Sequence, residues 1–337
     1  MTNRTMNLKK YFFLLLLTSF SGYLYSQEGL PVYLDYLTDN YYLVHPAMAG
    51  AGSGTKVRLT ARQQWFGIED APALQTLSVN SRMGERSAIG AMIINDRNGY
   101  HSQTGMKVTY AHHISLDQRS RYLNQLSFGA SVSIFQGRLD ESEFFNYNGT
   151  TDNNIIGSDQ TSTEPNVDIG MAYAVSDFFI QFSVHNVLEV SRDLYSELEP
   201  TNRRRFILSG GYTFGETEWS FQPSMLFQHV SSTGESNIDL NMLAFREMEF
   251  GRIWGGLSYR SSLDGAEYVL GQATNEQKLQ LLSPLLGVNY DNFMFGYTYS
   301  YQMGDIKFQN GGYHQLTLGL TFGEEKQAYH CNCPFAQ

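Results

Sequence analysis

Alternation of side chains along one stretch constrains this chain more than any other sequence feature. From Lys56 to Gln64, the apolar residues Val57, Leu59 and Ala61 alternate with polar and cationic ones. Because successive side chains of a β-strand point to opposite faces, the stretch predicts a strand with one apolar and one charged face. Such a strand fits a membrane barrel with lipid outside and a polar lumen inside, whereas a soluble sandwich turns its apolar face inward.

Similar segments recur along the chain. The clearest are 126–134, 219–228, 293–301 and 314–322, in which large apolar residues alternate with Ser, Gly, Thr and Gln. Together with weaker segments they predict about fourteen strands, an even number that brings the C-terminus back to the side of the N-terminus. Pro223 is a difficulty in this pattern, because proline donates no ladder hydrogen bond and belongs at a bulge or an edge.

The connections between these segments sort by length. If the chain starts in the periplasm, the inside turns are short and the outside loops are long, as in outer-membrane barrels. The long ones are 136–166, 187–204, 260–278 and 303–312. This sorting is the strongest sequence argument for a membrane barrel, because a sandwich has no reason to produce it.

The N-terminus indicates the compartment. Arg4, Lys9 and Lys10 precede an apolar run at 11–17 and a region of small residues, which is the pattern of a secretory signal at 1–26. After it there is no apolar run of about 18 residues, so a membrane form of the mature chain requires a barrel. Charged residues make up 17%, aromatic residues 14%, and the net charge of -10 argues against nucleic acid as a partner.

The predicted fold is therefore all-β, a 14-stranded antiparallel transmembrane barrel over 56–322 in the outer membrane. Residues 27–55 carry many apolar side chains without strand alternation, and we expect them to form a plug at the periplasmic side. A short periplasmic arm is the alternative. Residues 323–337 are expected to be a polar periplasmic tail. His330, Cys331 and Cys333 supply only three ligands, fewer than a structural zinc ion needs, so no metal site is predicted.

The chain resembles the PorP/SprF family of outer-membrane proteins, which is associated with type IX secretion in Bacteroidota. The resemblance covers about 36–322 and is carried by several short motifs. They are His45-Pro46-Ala47 with Ala49-Gly50, where the family usually has Asn-Pro-Ala, then Arg62, Gln64, Trp65, Gly67, Ile68, Ala71 and Pro72, then Asp96 and Gly99, Ser183-Val184-His185-Asn186, and Gly312-Tyr313-His314-Gln315-Leu316. His45 departs from the family pattern.

The resemblance implies a non-enzymatic barrel that helps to export or retain a large secreted protein at the cell surface. Its expected partners are an adhesin or gliding-filament protein with a C-terminal type IX secretion domain, periplasmic or outer-membrane components of secretion and motility, and membrane lipid. The Asn-Pro-Ala-like element is also similar to the N-terminal hatch of FadL-type transporters. That similarity supplies an alternative function, transport of a hydrophobic ligand across the outer membrane.

Two groups of candidate site residues follow. Aromatic and apolar residues of the outer loops are expected to bind the partner or, alternatively, to form the membrane girdle and pack over the barrel mouth. These are Trp65, Phe66, Ile68, Phe144, Phe145, Tyr147, Tyr195 and Tyr268. A second group is expected in the lumen and plug: His45, Pro46, Arg58, Arg62 and Lys107.

The three lumen cations are expected to pair with plug carboxylates such as Asp35 or Asp39, because unpaired charge in a filled lumen is costly. Ion selection by an open pore is the alternative. No serine in the strands stands in a recognisable nucleophile motif, so no catalytic residue, cofactor or enzymatic activity is predicted.

Overall fold

The computed structural model describes residues 35–38, 40–52, 54–64, 71–117, 122–141, 159–190, 203–216, 218–270, 273–303 and 312–323. Three short 3-10 helices, Asp35–Leu37, Tyr41–Leu43 and Pro46–Met48, precede the first strand. No helix in this described part of the chain is long and apolar enough to cross a membrane. Residues 31–337 belong to one compact unit.

Strands make up most of the described residues. In chain order they are β1 (Thr55–Gln64), β2 (Ala73–Met83), β3 (Ser87–Asn98), β4 (His101–Ser115), β5 (Asn124–Leu139), β6 (Gln160–Val175), β7 (Phe178–His185), β8 (Arg205–Tyr212), β9 (Phe214–Glu216), β10 (Trp219–Val230), β11 (Ser236–Met248), β12 (Gly251–Ser262), β13 (Ala266–Leu270), β14 (Ala273–Gln277), β15 (Gln280–Tyr290), β16 (Phe293–Met303) and β17 (Tyr313–Phe322).

One closed sheet contains these strands except β13 and β14, which form a separate hairpin. In this sheet β1 pairs with β2 on one side and with β17, the last strand, on the other. The pairing of β10 with β11 completes the ring, and all three pairings are antiparallel. β8 and β9 pair with β10 in one register and make a single barrel strand interrupted at Thr213. The 15 strands of the sheet therefore form a 14-stranded antiparallel barrel, which confirms the predicted fold.

The two faces of the wall follow the sequence alternation. Large apolar side chains point outward and are half-exposed, as Ile93, Val132 and Leu286 illustrate. Ser127 and Ser131 lie on the inward face of β5 and are buried. The wall is therefore apolar outside and largely polar inside, as the alternation predicts.

The prolines within strands lie where hydrogen-bond ladders stop. Pro223 falls between the pairing of β10 with β8 and its pairing with β9. Pro284 falls in a gap in the pairing of β15 with β16, and Pro165 lies on β6 beyond the last residue that pairs with β7. Proline lacks an N–H donor, so it fits a strand position where pairing to one neighbour stops. Pro223 therefore does not argue against strand β10.

The barrel has two unlike ends. Short connections at 84–86, 176–177, 249–250 and 291–292 define what we call the turn end. The connections 140–159, 186–204, 263–279 and 304–312 lie at the opposite end, the loop end. The long loops that the sequence predicts therefore share one end, which also carries the short connections 99–100 and 231–235, and the hairpin of β13 and β14 lies within the third long loop.

The rim of the loop end is uneven. β5 and β6 have 16 residues each, whereas the neighbouring β7 has 8, and β6 continues toward the loop end for nine residues beyond Ile169, its last residue paired with β7. The sequence assigned 136–166 to a loop, but β5 continues to Leu139 and β6 begins at Gln160. The extensions were missed because strand residues beyond the lipid need no apolar outward face, so alternation disappears there.

Candidate functional site: the interior of the barrel

Residues 35–52, which we call the N-terminal segment, lie against inward-facing side chains of the barrel. Its side chains form hydrogen bonds with strands on several sides of the bore. These are Tyr36 with Asp239 of β11 at 2.9 Å, Asn40 with Ser78 of β2 at 3.2 Å, Tyr42 with Thr109 of β4 at 2.8 Å, and His45 with Ser209 of β8 at 2.6 Å. Since these strands surround the bore, the segment crosses it.

Polar side chains of the wall bind the backbone carbonyl of Val44. The His185 Nε2–H donates to it at 2.8 Å, and the Nδ1 of the same ring lies 3.1 Å from an Asp168 carboxylate oxygen. Asp168 also forms an ion pair with Lys107. Together with Ser183, these residues form what we call the Val44 latch.

His45 binds through a chain of hydroxyl groups beside the latch. Ser209 donates to the Gln181 side-chain oxygen at 2.8 Å, so it accepts from His45 Nε2–H at 2.6 Å. The other ring nitrogen, Nδ1, lies 3.1 Å from the Ser183 hydroxyl, which donates its proton to the Val44 carbonyl oxygen. Complete burial, with the nearby charge of His185, lowers the pKa of His45 to about 3. The ring is therefore neutral at neutral pH.

The latch brings a serine, a histidine and an aspartate together, an arrangement used in nucleophilic catalysis. Ser183 Oγ lies 3.2 Å from His185 Nε2, and His185 contacts Asp168. However, His185 Nε2 donates to Val44 and cannot accept a proton from Ser183 while it does so. Ser183 is fully buried, and its hydroxyl lies 2.8 Å from the Val44 carbonyl oxygen. In this conformation the three residues hold the segment and do not form a reactive serine.

A second kind of contact holds the segment nearer the turn end. A Cβ atom on Gly129 would lie 2.3 Å from the Pro46 carbonyl carbon, and one on Gly170 would lie 3.2 Å from Pro46 Cδ. Ala47 and Ala49 are fully buried. Residues 46–51 therefore fit a glycine-lined surface of β5 and β6 by close approach of backbone, and we call this part the Pro46 wedge.

Wall side chains also satisfy the carbonyl groups of the wedge. His113 Nε2–H donates to Ala49 at 2.9 Å, and Arg82 Nε–H donates to Gly50 at 2.9 Å. Gly50 has a φ of +59° and donates its N–H to Asn80 at 3.0 Å. Since buried carbonyl groups need donors, these contacts allow an irregular backbone to lie inside the barrel.

A buried ion pair lies at the opposite end of the segment. Arg260 of β12 donates two hydrogen bonds, of 2.5 and 2.6 Å, to the two carboxylate oxygens of Asp239 on β11. Asp239 also accepts from the Tyr36 hydroxyl, which is itself 3.3 Å from the Asn241 amide. The pair thus joins two neighbouring strands to the first residues of the described segment.

Each predicted lumen cation faces the interior of the wall. Lys107 pairs with Asp168 of β6, so its acid is a wall residue and not Asp35 or Asp39 as expected. Arg58 is buried and donates to the Leu320 carbonyl at 3.3 Å and to Thr321 at 3.2 Å. The guanidinium of Arg62 lies 5.5 Å from the centre of the Tyr313 ring. The Asp39 residue and the side chain of Asp35 lie outside the described part.

The predicted partner-binding residues fall mostly outside the described residues. Tyr268 belongs to β13, where its backbone is opposite Asn275. The rest lie in undescribed ranges: Trp65, Phe66, Ile68, Phe144, Phe145, Tyr147 and Tyr195. Their role stays a prediction.

Several interior residues that hold the segment or support its contacts were not predicted from the sequence, among them Asp168, Asp239, Arg260 and His185. Asp168, Asp239 and Arg260 stand at inward positions of predicted strands, where an ionisable residue is costly unless it is paired. That position is the signal that could have found them. His185 was noted as part of a family motif, but its contact with Val44 depends on how an irregular segment folds, which alternation does not reveal.

The fold and the interior define the class of the protein. A closed antiparallel barrel with an apolar outer face and a polar inward face is an integral protein of the outer membrane. A family model described as "Type IX secretion system membrane protein PorP/SprF" matches residues 25–320. The chain therefore belongs to the PorP/SprF family. This is a family of secretion-system outer-membrane barrels and not an enzyme family.

Comparison with solved structures agrees with the fold. The toluene transporter TbuX of Ralstonia pickettii is similar with a TM-score of 0.51 and 13% identity, over 84% of this chain and 93% of that one. The CymD monoaromatic hydrocarbon channel has a TM-score of 0.47 and 11% identity, over 86% and 94%. CdiB from Acinetobacter baumannii has a TM-score of 0.44 and 7% identity; the match covers 80% of this chain and only 60% of CdiB. No curated protein matches the sequence.

Proposed function

We propose that this barrel binds a secreted surface protein through its outer loops and retains it at the cell surface. Membership of a type IX secretion family supports a role in that system and contact with its components. In this proposal the loop end faces outward, the turn end and the tail face the periplasm, and the mature chain starts after residue 26. The mechanism is binding and involves no covalent chemistry.

The observation that carries the proposal is the filled bore. The N-terminal segment contacts β2, β4, β7, β8 and β11, and its residues are almost all buried. A polypeptide cannot share the bore with this segment in place. We therefore assign residues 27–55 the role of a plug and infer that cargo is retained on the barrel and does not pass through it.

Loop aromatics are the proposed contact residues, because buried aromatic side chains commonly dominate protein interfaces. Deleting the gene should release one surface protein into the medium, and expressing the wild-type barrel should restore its retention. A barrel with Phe144→Ser, Phe145→Ser and Tyr147→Ser should reach the membrane and still release the protein. Phe293→Leu, on the lipid-facing side of β16, is the matched control and should retain it.

Retention of every exported protein in the deletion strain would contradict the proposal. Full retention by the triple variant would contradict a binding role for loop 142–158. The secreted protein is measured by quantitative surface labelling and by its amount in the medium.

Transport of a hydrophobic ligand is the second candidate. It is favoured by the similarity to TbuX, which is described as a toluene transporter, and by an apolar cluster inside the barrel that includes Tyr41, Phe179 and Trp254. Uptake of toluene into vesicles containing the purified barrel tests it. Uptake above that of empty vesicles, together with normal retention in the deletion strain, would favour transport over anchoring.

A further inference from the structure

Six strands carry an exposed aromatic side chain on the outer wall at the turn end. The residues are Phe178, Tyr212, Trp219, Tyr290, Phe293 and Phe322. Aromatic side chains at this level form the girdle that lies at a membrane–water interface. On β1–β4 the outward side chains near this level are instead Thr55, Ser81, Ser87 and His112, with Met83 and Ile114 beyond them. The aromatic girdle is therefore interrupted across these four neighbouring strands.

A group of polar side chains lies in this gap, where β3 begins. Ser87 is opposite His112 in the ladder of β3 and β4, and its hydroxyl lies 3.0 Å from the Tyr110 hydroxyl oxygen. The Arg86 carbonyl accepts the His113 N–H at 2.6 Å, which holds the turn before β3 against β4. What we call the Ser87 patch consists of Glu85, Arg86, Ser87, Tyr110 and His112.

The Ser87 patch carries one positive and one negative side chain next to hydroxyl groups. Glu85 and Arg86 are consecutive and exposed, and neither forms an ion pair within the described part of the chain. By contrast, the guanidinium of Arg246, which is also outward at the turn end, lies 5.3 Å from the centre of the Trp219 ring. The patch therefore offers separate contacts to the two charges of a zwitterionic ligand.

Apolar side chains continue from the Ser87 patch toward the middle of the wall. Ile89, Val108 and Tyr110 are 47%, 52% and 53% exposed on the outer face. Hydrocarbon chains of lipid cover such a surface in a membrane barrel. A ligand that fits both surfaces therefore has a charged head and an apolar body.

We propose that the Ser87 patch binds the headgroup of one aminophospholipid. The phosphate group contacts Arg86 and the Ser87 hydroxyl, the ammonium group contacts Glu85, and the acyl chains lie along the apolar wall. Arginine binds phosphate through paired, charge-assisted hydrogen bonds, and the interrupted girdle leaves room for the headgroup. In the orientation proposed above, this lipid belongs to the periplasmic leaflet. The inference holds whether the barrel anchors a protein or transports a ligand.

Lipid titration followed by native mass spectrometry tests the site. The full-length barrel is purified in detergent, freed of lipid and titrated with phosphatidylethanolamine, and the dissociation constant of the first bound lipid is measured. Arg86→Gln should weaken this binding at least about tenfold, because it removes a charge-assisted contact with the phosphate. Arg246→Gln is the matched control and should change the constant less than about twofold, because Arg246 lies outside the patch.

A second variant tests the role of the carboxylate. The wild-type barrel should bind phosphatidylethanolamine more tightly than phosphatidylglycerol, which has a phosphate group but no ammonium group. Glu85→Gln should remove this preference and leave the two dissociation constants within about twofold of each other, because the ammonium group loses its acceptor. The resistance of the folded barrel to SDS without heating verifies that each variant is folded.

Three results would overturn the inference. Unchanged binding of phosphatidylethanolamine by Arg86→Gln, or equal weakening by Arg86→Gln and Arg246→Gln, means that the patch is not a lipid site. Tighter binding of phosphatidylglycerol or lipopolysaccharide by the wild-type barrel assigns the patch to another lipid. A dimer that Arg86→Gln dissociates assigns it to a second copy of the chain. Failure of the anchoring proposal leaves this experiment unaffected, because no cargo is present in it.

Discussion

Removing one partner of the buried pair between Asp239 and Arg260 should destabilise the barrel strongly. Asp239 is fully buried, and the Arg260 guanidinium donates two short hydrogen bonds to it. Arg260→Met keeps an unbranched side chain but leaves the carboxylate without its cation. Loss of one partner of a buried ion pair costs about 3–5 kcal/mol, so we expect the free energy of unfolding to fall by that amount.

A second variant separates the loss of the pair from the loss of packing. Asp239→Leu combined with Arg260→Met removes both charges, and an apolar replacement of a buried pair is often close to neutral. The double variant should therefore be more stable than Arg260→Met alone by at least about 2 kcal/mol. Tyr36→Phe should cost about 1.5–3 kcal/mol, since its hydroxyl donates to a charged acceptor.

Equilibrium unfolding in urea, with the barrel in phospholipid vesicles and tryptophan fluorescence as the signal, measures these differences. Arg252→Met is the matched control, because Arg252 pairs with Glu247 at a surface where the side chains are 22% and 51% exposed. It should cost less than about 1 kcal/mol. Equal costs for Arg260→Met and Arg252→Met would refute the argument from burial.

Three further predictions concern the interior. Gly129→Ala should destabilise the docked segment by about 1–3 kcal/mol through contact with Pro46, measured by urea unfolding, whereas Gly255→Ala, whose Cβ would approach no atom closer than 3.4 Å, should not. Trp254→Ala should lower the free energy of unfolding by about 3–5 kcal/mol, because the indole is buried in the bore and its loss leaves a cavity. In the unfolded chain His45 binds a proton below the ordinary pKa of about 6.5, whereas in the folded protein the ring stays neutral down to a pKa of about 3. The contribution of His45 to the free energy of unfolding is therefore fully present above about pH 6.5. It declines by up to about 1.4 kcal/mol per pH unit as the pH falls from about 6.5 to about 3. His45→Asn should remove that contribution, and identical pH profiles of the two proteins would contradict it.

The strands of the barrel wall could be predicted from the sequence because the alternation of apolar and polar side chains is a local property of each strand. Each barrel strand overlaps a predicted alternating segment, and small residues occupy the inward face, as in Ser127 and Gly129 of β5. The lipid outside imposes this alternation on every spanning strand. The pairing of Lys107 with Asp168 could not be predicted in the same way, because it joins β4 to β6 across an intervening strand and depends on the registers of both ladders.

The segment inside the barrel was beyond this reasoning for another reason. Its short 3-10 helices have no repeating pattern, and its carbonyl groups are satisfied by side chains that are distant in sequence, such as His113 and His185. The apolar content of residues 30–43 indicates that the region packs against something. It does not indicate which wall residues receive it.

The strands that reach the loop end differ in length from one side of the barrel to the other. Sixteen residues of β5 span about 50 Å along the strand, against about 26 Å for the eight residues of β7. In the orientation proposed above, a protein that binds at the loop end meets strands that extend farther on the side of β5 and β6 than at β7. The two sides of the rim therefore offer such a protein different lengths of sheet to contact.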